Sequence, residues 1–425
     1  MSHSKIINFN RIFTTIIFIF ILSLSITLYF RGGKDLKVDI YGAQQTFNKG
    51  SPYKNPAGDH DLRPLFRYAP GFAIMVYPFI LKSEPYQVIK SDLKIGNIMP
   101  SVFAWFFFKI FLLLLCAKIL LELIPAVSQE VAKRNLKISF LLSLPLIGCE
   151  LANGQNKIIA LFFMLLAFWL FERKKLFACA LCFCLALTVY IPLGIFAVYF
   201  VFRNKKFIFS LIAAVFVIFL FIPSLVFGVN YNLYLLKEWF MATIKPFCLT
   251  NSYASYIDLR VSSQSLPSAI GRIFISGYTS NFKYLISPLG VHAIIRVGAI
   301  IMVLFSCIAI WKRQGRAQEG LSYIIFFILA MLLPQYCITY MWSWVFVFYF
   351  IMFNYVSYPG ISPRLKKFMF LLASVLFIAT ISICFKVLNL YSVLFWATVF
   401  LWAGIVSILI YPYKLYQFSK EQPHF

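Results

Sequence analysis

Residues 11–30 read RIFTTIIFIFILSLSITLYF, a mostly apolar stretch with one basic residue at its start and no acidic residue. About 20 apolar residues are the length that an α-helix needs to cross a bilayer. Similar stretches recur along the chain, in which 61% of the residues are hydrophobic and only 12% are charged. A soluble domain carries about 25% charged residues. The composition therefore excludes a water-soluble protein and predicts an integral membrane protein.

The apolar stretches predict a polytopic all-α protein with about 12 transmembrane helices. No internal repeat or low-complexity linker divides the chain, so a single integral-membrane domain is expected over residues 1–425. The predicted spans are Arg11–Phe30, Pro100–Leu123, Leu136–Cys149, Lys157–Phe171, Leu176–Tyr190, Ile191–Phe202, Phe207–Phe227, Pro288–Trp311, Gly320–Pro334, Tyr340–Tyr358, Lys367–Val387 and Tyr391–Tyr411.

The net charge of +25 is distributed as a topology signal rather than as a nucleic-acid-binding surface. Lys and Arg cluster in short turns such as 173–175 and 203–206. These clusters fall on one side of the membrane if residues 68–81 do not span. By the positive-inside rule that side is the cytoplasm, with both termini inside. Membrane lipids, and not nucleic acid, are the expected partners of this charge. The heavy use of Phe, Ile and Lys, together with the missing N-glycosylation sequons, favours a bacterial inner membrane.

Two long loops lie on the opposite, exofacial side in this topology. They cover residues 31–99 and 229–287, and loops of this length are usually functional. In the first loop, Asp39 is placed to cap a short amphipathic helix along the interface, and Gly50 is placed to end it. Pro70 can begin a second helix that is too short to cross. We therefore expect the chemistry on the periplasmic or extracellular side.

Motifs follow one another along these loops and between the predicted spans. They are Asp39-x-Tyr41-x-Ala43, Gly50-x-x-Tyr53, Phe66-x-Tyr68-x-Pro70, Asn153-Gly154-Gln155-Asn156, Tyr190-Ile191-Pro192 and Gln264-Ser265-Leu266 with Arg272. In this order, after a first transmembrane helix, they resemble bacterial GT-C superfamily glycosyltransferases typified by the alpha-1,2-mannosyltransferases. The resemblance implies transfer of a hexose, mannose first, from a polyprenyl-phosphate-linked donor to an exofacial lipid or glycan acceptor, with inversion and without a cofactor.

Asp39 is the candidate catalytic residue under this resemblance. An inverting transfer needs one carboxylate as general base for the acceptor hydroxyl, and Asp39 lies nine residues past the end of the first predicted span, at Phe30. The alternative is a helix cap or an ordinary loop charge. Asp35 is the nearest rival, but Lys34 and Lys37 beside it are typical of a solvated loop.

The other candidates bind substrate. Arg67 and Arg272 can grip two phosphate oxygens at once, or they can bind lipid headgroups. Gln155 and Asn156 can bind sugar hydroxyls or satisfy the backbone at a helix start, and the tyrosines can stack on a sugar ring or anchor the protein at the interface. The full set of candidate substrate-binding residues is Tyr41, Arg67, Tyr68, Gln155, Asn156, Gln264, Ser265 and Arg272.

Lys109 lies inside a predicted span. A cation at that depth marks a functional site unless its long side chain reaches back to the surface, and the sequence slightly favours the second interpretation. No metal site is predicted.

Two other functions stay open. One is a transporter or flippase of lipid-linked or anionic solutes, which would place ionisable residues at mid-membrane. The other is an inactive glycosyltransferase-like subunit, because Thr188 and Val189 stand where the resembling family has a lysine.

Overall fold

The computed structural model describes residues 3–31, 34–53, 66–80, 87–89, 92–94, 99–244, 263–276, 283–312, 318–334, 337, 339–382 and 392–410. These residues are almost entirely helical, which confirms the predominantly helical fold. The α-helices are α1 (His3–Arg31), α2 (Lys34–Phe47), α3 (Pro70–Val76), α4 (Met99–Leu123), α5 (Gln129–Asn153), α6 (Lys157–Glu172), α7 (Leu176–Val189), α8 (Phe196–Arg203), α9 (Phe207–Val215), α10 (Ile222–Phe227), α11 (Val229–Trp239), α12 (Leu266–Phe274), α13 (Pro288–Lys312), α14 (Glu319–Leu332), α15 (Val345–Ser357), α16 (Pro363–Ser382) and α17 (Val393–Ile410).

Shorter elements connect these helices. Two antiparallel pairs of strands occur, β1 (Gln87–Ile89) with β2 (Asp92–Lys94) and β3 (Ile275–Ser276) with β4 (Lys283–Tyr284). Turns of 3-10 helix cover Tyr77–Phe79, Ile191–Ile195 and Thr339–Trp344, and π-helical turns cover Phe216–Phe221 and Phe240–Ile244.

Six helices among the described residues are long and apolar enough to cross a membrane. Several of the other predicted spans form shorter apolar helices, so the number of about 12 spans stays a prediction. Parts of the predicted spans Lys367–Val387 and Tyr391–Tyr411 lie outside the described residues. The six candidate spans are Phe9–Tyr29, Pro100–Leu123, Gln129–Asn153, Phe207–Phe227, Leu289–Lys312 and Val393–Ile410.

The chain divides into two compact units. Unit 1 comprises Met1–Ile119 and Leu146–Asn251. Within it α6 packs along α7, α7 packs along α9, and α2 packs on α3. Phenylalanine rings fill the space between α6, α7 and α8, where Phe168, Phe183 and Phe200 are fully buried or nearly so. These rings form an aromatic core of unit 1.

Unit 2 comprises Leu120–Pro145 and Ser252–Phe425. Its α17 packs against α13, α14 and α16, and α12 packs on α13. Helix α14 is buried along its whole length because every one of its side chains is apolar or small except Glu319 and Tyr323. The buried indole Trp402 donates a hydrogen bond to the hydroxyl of Ser306 at 2.9 Å.

Candidate active site

Helix α2 carries Asp39 into the interior of unit 1. The helix begins at Lys34, so the prediction that Asp39 caps its first turn is wrong. Leu36, Ile40 and Ala43 recur at helical spacing and are all buried, and burying this apolar face extends the helix upstream of the cap-forming residue. Asp39 is only 1% exposed. A buried mid-helix carboxyl has no capping role.

The motif Asn153-Gly154-Gln155-Asn156 forms the turn that meets α2. Gly154 adopts φ 77° just after α5, where glycine is favoured. A Cβ at Gly154 would lie 3.0 Å from the backbone nitrogen of Leu36 in α2. The glycine therefore allows the turn to approach α2 closely enough for side-chain contacts with Asp39.

Asn156 makes the direct contact with the carboxyl. Its Nδ2 donates to Oδ2 of Asp39 at 2.7 Å, and its Oδ1 accepts from Nε1 of Trp105 at 3.2 Å. Asn156 occupies the N-cap position of α6 without making a cap hydrogen bond. The backbone N–H of Ile158 donates instead to Oε1 of Glu150 at 2.6 Å. The expectation that Asn156 satisfies the start of α6 is therefore wrong for its side chain.

Gln155 contacts the other acidic residue of α2. Its Nε2 donates to Oδ2 of Asp35, and Asp35 is half-buried within the helix. The solvated loop predicted for Asp35 is therefore corrected to a helical position beside the site. The cause is again the upstream extension of α2, which turns Asp35 toward the Asn153–Asn156 turn.

Two buried lysines lie near Asp39. Lys109 is 1% exposed, and its Nζ donates to the backbone oxygen of Gln155 at 3.1 Å. It does not reach back to a surface, contrary to the interpretation that the sequence favoured. Lys157 is 4% exposed, and its Nζ lies 3.7 Å from the centroid of the Tyr190 ring. A cation over an aromatic face is stabilised by the ring quadrupole.

These neighbours set the pKa of Asp39. Burial raises the pKa of its carboxyl from 3.8 to about 8. The hydrogen bond from Asn156 lowers this pKa, Asp35 raises it, and the two lysines, Lys109 and Lys157, lower it. An acid with a pKa near the working pH is suited to general-base catalysis.

The other predicted residues of unit 1 are distributed around the start of α3. Tyr41 is 2% exposed on α2. Arg67 and Tyr68 are half-buried, and their backbone oxygens accept hydrogen bonds from Nε1 of Trp239 at 3.2 Å and from the Tyr53 hydroxyl at 2.9 Å. These contacts hold the residues 66–69 in position before α3 begins at Pro70, as predicted.

The remaining predicted residues lie together in unit 2. Gln264 is buried, and its backbone N–H donates to the oxygen of Cys337 at 2.7 Å. Ser265 caps α12 by accepting a hydrogen bond from the N–H of Ser268 at 3.3 Å. The guanidinium of Arg272 donates to the oxygen of Ser263 at 2.7 Å and to the hydroxyl of Ser392 at 2.6 Å. Part of the hydrogen-bonding capacity of Arg272 is thus used inside unit 2.

The polar cluster around Asp39 includes three residues that sequence reasoning did not select. Lys157 carried a signal, because it is a charged residue at the start of an apolar stretch directly after Asn156. No feature of the sequence separates Trp105 and Glu150 from the other residues of their helices. Chemically, the cluster offers at Asp39 a carboxyl of raised pKa that can take up a proton, and two buried cations, Lys109 and Lys157, beside it. Among the described residues, no group of three His, Cys, Asp or Glu could hold a metal.

One comparison with known proteins gives a match. The family model described as Glycosyltransferase family 87 matches residues 66–334, which include Gln155, Asn156 and Lys109 and begin after Asp39. No curated protein and no solved structure is significantly similar to the chain.

Proposed function

Because the chain belongs to glycosyltransferase family 87, we propose that it transfers a mannosyl residue from a polyprenyl-phosphate-linked donor to an exofacial lipid or glycan acceptor. Membership of the family makes it a membrane glycosyltransferase of the GT-C type. The donor, the sugar, the acceptor and the inverting course of the reaction are our proposals. They rest on the motif resemblance together with the chemistry of the cluster around Asp39.

The observation that supports the proposal most directly is the environment of Asp39. Its carboxyl is buried, is held by the amide of Asn156 and has a pKa of about 8. A carboxylate of ordinary acidity would be a weak base toward an alcohol, whereas a raised pKa increases its basicity. A buried carboxyl of this kind marks a candidate functional site.

The proposed step is a single displacement. The acceptor hydroxyl oxygen attacks the anomeric carbon on the face opposite the phosphate, and its proton passes to Asp39. The bond between the anomeric carbon and the phosphate oxygen breaks, and the polyprenyl phosphate leaves with the electron pair. Inversion follows because attack and departure occur on opposite faces.

The departing phosphate needs cations. Lys157 is our first choice because its charge acts on Asp39 and its ammonium is held over Tyr190. Arg67 and Arg272 remain proposed ligands of the donor phosphate. The proposed contacts of Tyr41, Tyr68, Gln155, Gln264 and Ser265 with the sugar or the acceptor rest on motif membership.

Asp39→Asn tests the proposal because it preserves the size of the side chain and removes its basicity. We expect transfer to fall by about a hundred- to ten-thousandfold, the usual worth of general-base assistance. The assay is transfer of radiolabelled mannose from synthetic polyprenyl-phosphate-mannose by the purified protein, with donor binding measured separately.

Glu238→Gln is the matched control, because it neutralises a half-exposed carboxylate near the end of α11. We expect this variant to retain transfer. Near-normal transfer by Asp39→Asn would contradict the role of Asp39, and absence of transfer from any polyprenyl-phosphate sugar by the unaltered protein would contradict the donor class.

One observation favours a transporter as the second candidate function. Lys109 and Glu150 are fully buried ionisable residues in two of the candidate spans, α4 and α5, and such residues mark solute pathways in transporters. Proteoliposomes distinguish the two functions. Movement of a lipid-linked sugar across the bilayer without transfer to an acceptor would favour the transporter.

We also propose the topology in which this reaction takes place. About 12 spans in a bacterial inner membrane, with both termini cytoplasmic, put α2 on the periplasmic or extracellular side. This arrangement gives Asp39 access to donors and acceptors outside the cell.

A further inference from the structure

Asn156 stands at the position where a helix normally uses its side chain as a cap. An Asn at an N-cap accepts a hydrogen bond from one of the first free N–H groups of the helix. In α6 the N–H of Ile158 is instead satisfied by Oε1 of Glu150, at 2.6 Å. The carboxylate of Glu150 therefore releases the amide of Asn156 for another contact.

The orientation of that amide is decided by Trp105. An indole nitrogen can only donate, so the atom of Asn156 that faces Nε1 of Trp105, at 3.2 Å, must be the acceptor Oδ1. The other end of the amide, Nδ2, then faces Oδ2 of Asp39, at 2.7 Å. A flipped amide would bring Oδ1 against the carboxylate, where two acceptors repel each other.

All three side chains are buried. Asp39 and Trp105 are 1% exposed, and Asn156 is fully buried. The indole also packs against two phenylalanine rings, with its centroid 4.8 Å from that of Phe79 and 5.6 Å from that of Phe108. In such a water-poor environment a hydrogen bond to a charged group is strong, and its loss is costly.

We propose that Trp105 and Asn156 are positioning residues that favour the ionised form of Asp39 and occupy one of its carboxylate oxygens, which leaves the other oxygen, Oδ1, to take the proton of the acceptor hydroxyl. This inference rests on the proposed role of Asp39 as base. It changes the role of Asn156, which the motif suggested as a ligand of the sugar. Asn156 contacts Asp39, and Trp105 contacts Asn156. Neither residue has to contact the substrate to act in this way.

Other charges also act on Asp39, and the test must separate them from this chain of hydrogen bonds. Asp35 lies on the same helix, Lys109 faces Asp39 from α4, and Lys157 faces it from α6. Glu150, on α5, acts on Lys109. None of these groups is altered when Trp105 or Asn156 is replaced by an uncharged residue.

Trp105→Phe removes the indole N–H and keeps an aromatic ring, and Asn156→Ala removes the contact with Asp39 itself. The measurement is an infrared titration of the purified protein, in which the carboxyl band of Asp39 is identified by its absence in Asp39→Asn. We expect Asn156→Ala to raise the midpoint of this band by about one to two pH units, the shift that corresponds to a lost hydrogen bond to a charged group. Trp105→Phe should raise it by less, because the indole donates to the neutral amide of Asn156 and not to the carboxylate itself. Transfer should show the same shift, with most of the rate recovered at high pH.

Two comparisons make the result specific. The double variant should shift the midpoint no further than Asn156→Ala alone. Trp105 acts on Asp39 only through Asn156, and the effects of replacing two residues in one hydrogen-bonded series are not additive. Trp402→Phe is the matched control, since Trp402 is a buried indole that donates to a side-chain oxygen in unit 2. It should leave the midpoint unchanged.

Unchanged midpoints in both single variants, additive shifts in the double variant, or an equal shift in Trp402→Phe would each overturn the inference. The infrared titration does not depend on transfer. Raised midpoints in a protein that transfers no sugar would support the positioning role and contradict the proposed function. Normal transfer with unchanged midpoints would support the proposed function and contradict the positioning role.

Discussion

The acidity of one residue, Asp39, links the structure to a measurable rate. Its carboxyl is ionised with difficulty because it is buried, and Asn156 and two lysines only partly compensate. Only the ionised form can accept the proton of an alcohol. In the proposed role of Asp39 as base, the fraction of ionised Asp39 therefore controls the amount of competent enzyme at any pH.

We predict that transfer increases with pH and levels off above about pH 8, with a one-proton slope below that value. Near pH 7 only about a tenth of the protein would carry ionised Asp39. The measurement is the initial rate of transfer at saturating donor between pH 5.5 and 9.5, with the pH-stability of the protein checked by reassay at pH 8. A rate that is flat across this range would contradict Asp39 as the base.

The same raised pKa predicts that the stability of the protein decreases as the pH rises, whereas the transfer rate increases. Below about pH 4 the carboxyl is neutral in both the folded and the unfolded chain, so it has no effect. Between about pH 4 and pH 8 it is ionised only in the unfolded chain, and the free energy of unfolding therefore decreases as the pH rises. Asp39→Asn should remove this decrease. The midpoint of thermal unfolding in detergent, compared between the two proteins across this range, measures it.

At the scale of elements, the C-terminal end of α2 is held by hydrogen bonds from α11. The Tyr231 hydroxyl donates to the backbone oxygen of Gly50 at 2.7 Å and lies 3.1 Å from that of Thr46, at the end of the helix. Near the middle of α2, Gly42 lies against the buried ring of Phe66, and a Cβ there would be 2.1 Å from Cδ2 of the ring. The placement of Asp39 thus depends on a glycine one turn away.

Gly42→Ala should destabilise the protein and lower transfer. The helix propensity of alanine is better by about 1 kcal/mol, but overpacking a buried contact costs about 1 to 3 kcal/mol. Phe66 cannot yield easily because Tyr53, Tyr68 and Phe72 surround its ring. Thermal unfolding and the transfer rate measure the two effects.

Gly298→Ala is the control for this substitution. Gly298 also lies in a helix, α13, but the nearest atom to an added Cβ is 3.6 Å away, an ordinary contact. We expect its unfolding temperature to stay the same or to rise slightly. A Gly42→Ala protein as stable and active as the unaltered one would show that α2 can shift without consequence for the site.

At the scale of the whole molecule, the proposed topology assigns each loop to one side of the membrane. The proposed topology makes Asn48 and Leu285 exofacial and Lys174 cytoplasmic. All three residues are exposed in the structure, so a cysteine at any of them can react if the reagent reaches it.

We predict that single cysteines at positions 48 and 285 react with a membrane-impermeant thiol reagent in intact cells, and that a cysteine at position 174 reacts only after permeabilisation. The nine native cysteines are first replaced so that the background is silent. Labelling of only one of the two exofacial positions would contradict the proposed number of spans between them, and labelling of position 174 from outside would reverse the orientation of the turn between α6 and α7.

Local sequence was sufficient for the class of protein and for some of its elements. Apolar stretches of span length predict membrane helices because the hydrophobic requirement of a bilayer applies to each segment independently. Pro70 was expected to begin a helix for an equally local reason, its fixed φ and missing N–H. Asp39 was selected from the chain by its position after the first span and by motif resemblance.

The tertiary structure decided what surrounds Asp39. Helix α2 begins at Lys34 and not at Asp39 because the burial of an apolar face outweighs the capping preference of one residue. The contact of Asp39 with Asn156 joins residues 117 positions apart. A single polar side chain in an apolar helix, such as Lys109, belongs to no periodic pattern from which its contact residue could be predicted. Such contacts depend on how the helices pack, so the ionisation of Asp39 could be argued only from the folded chain.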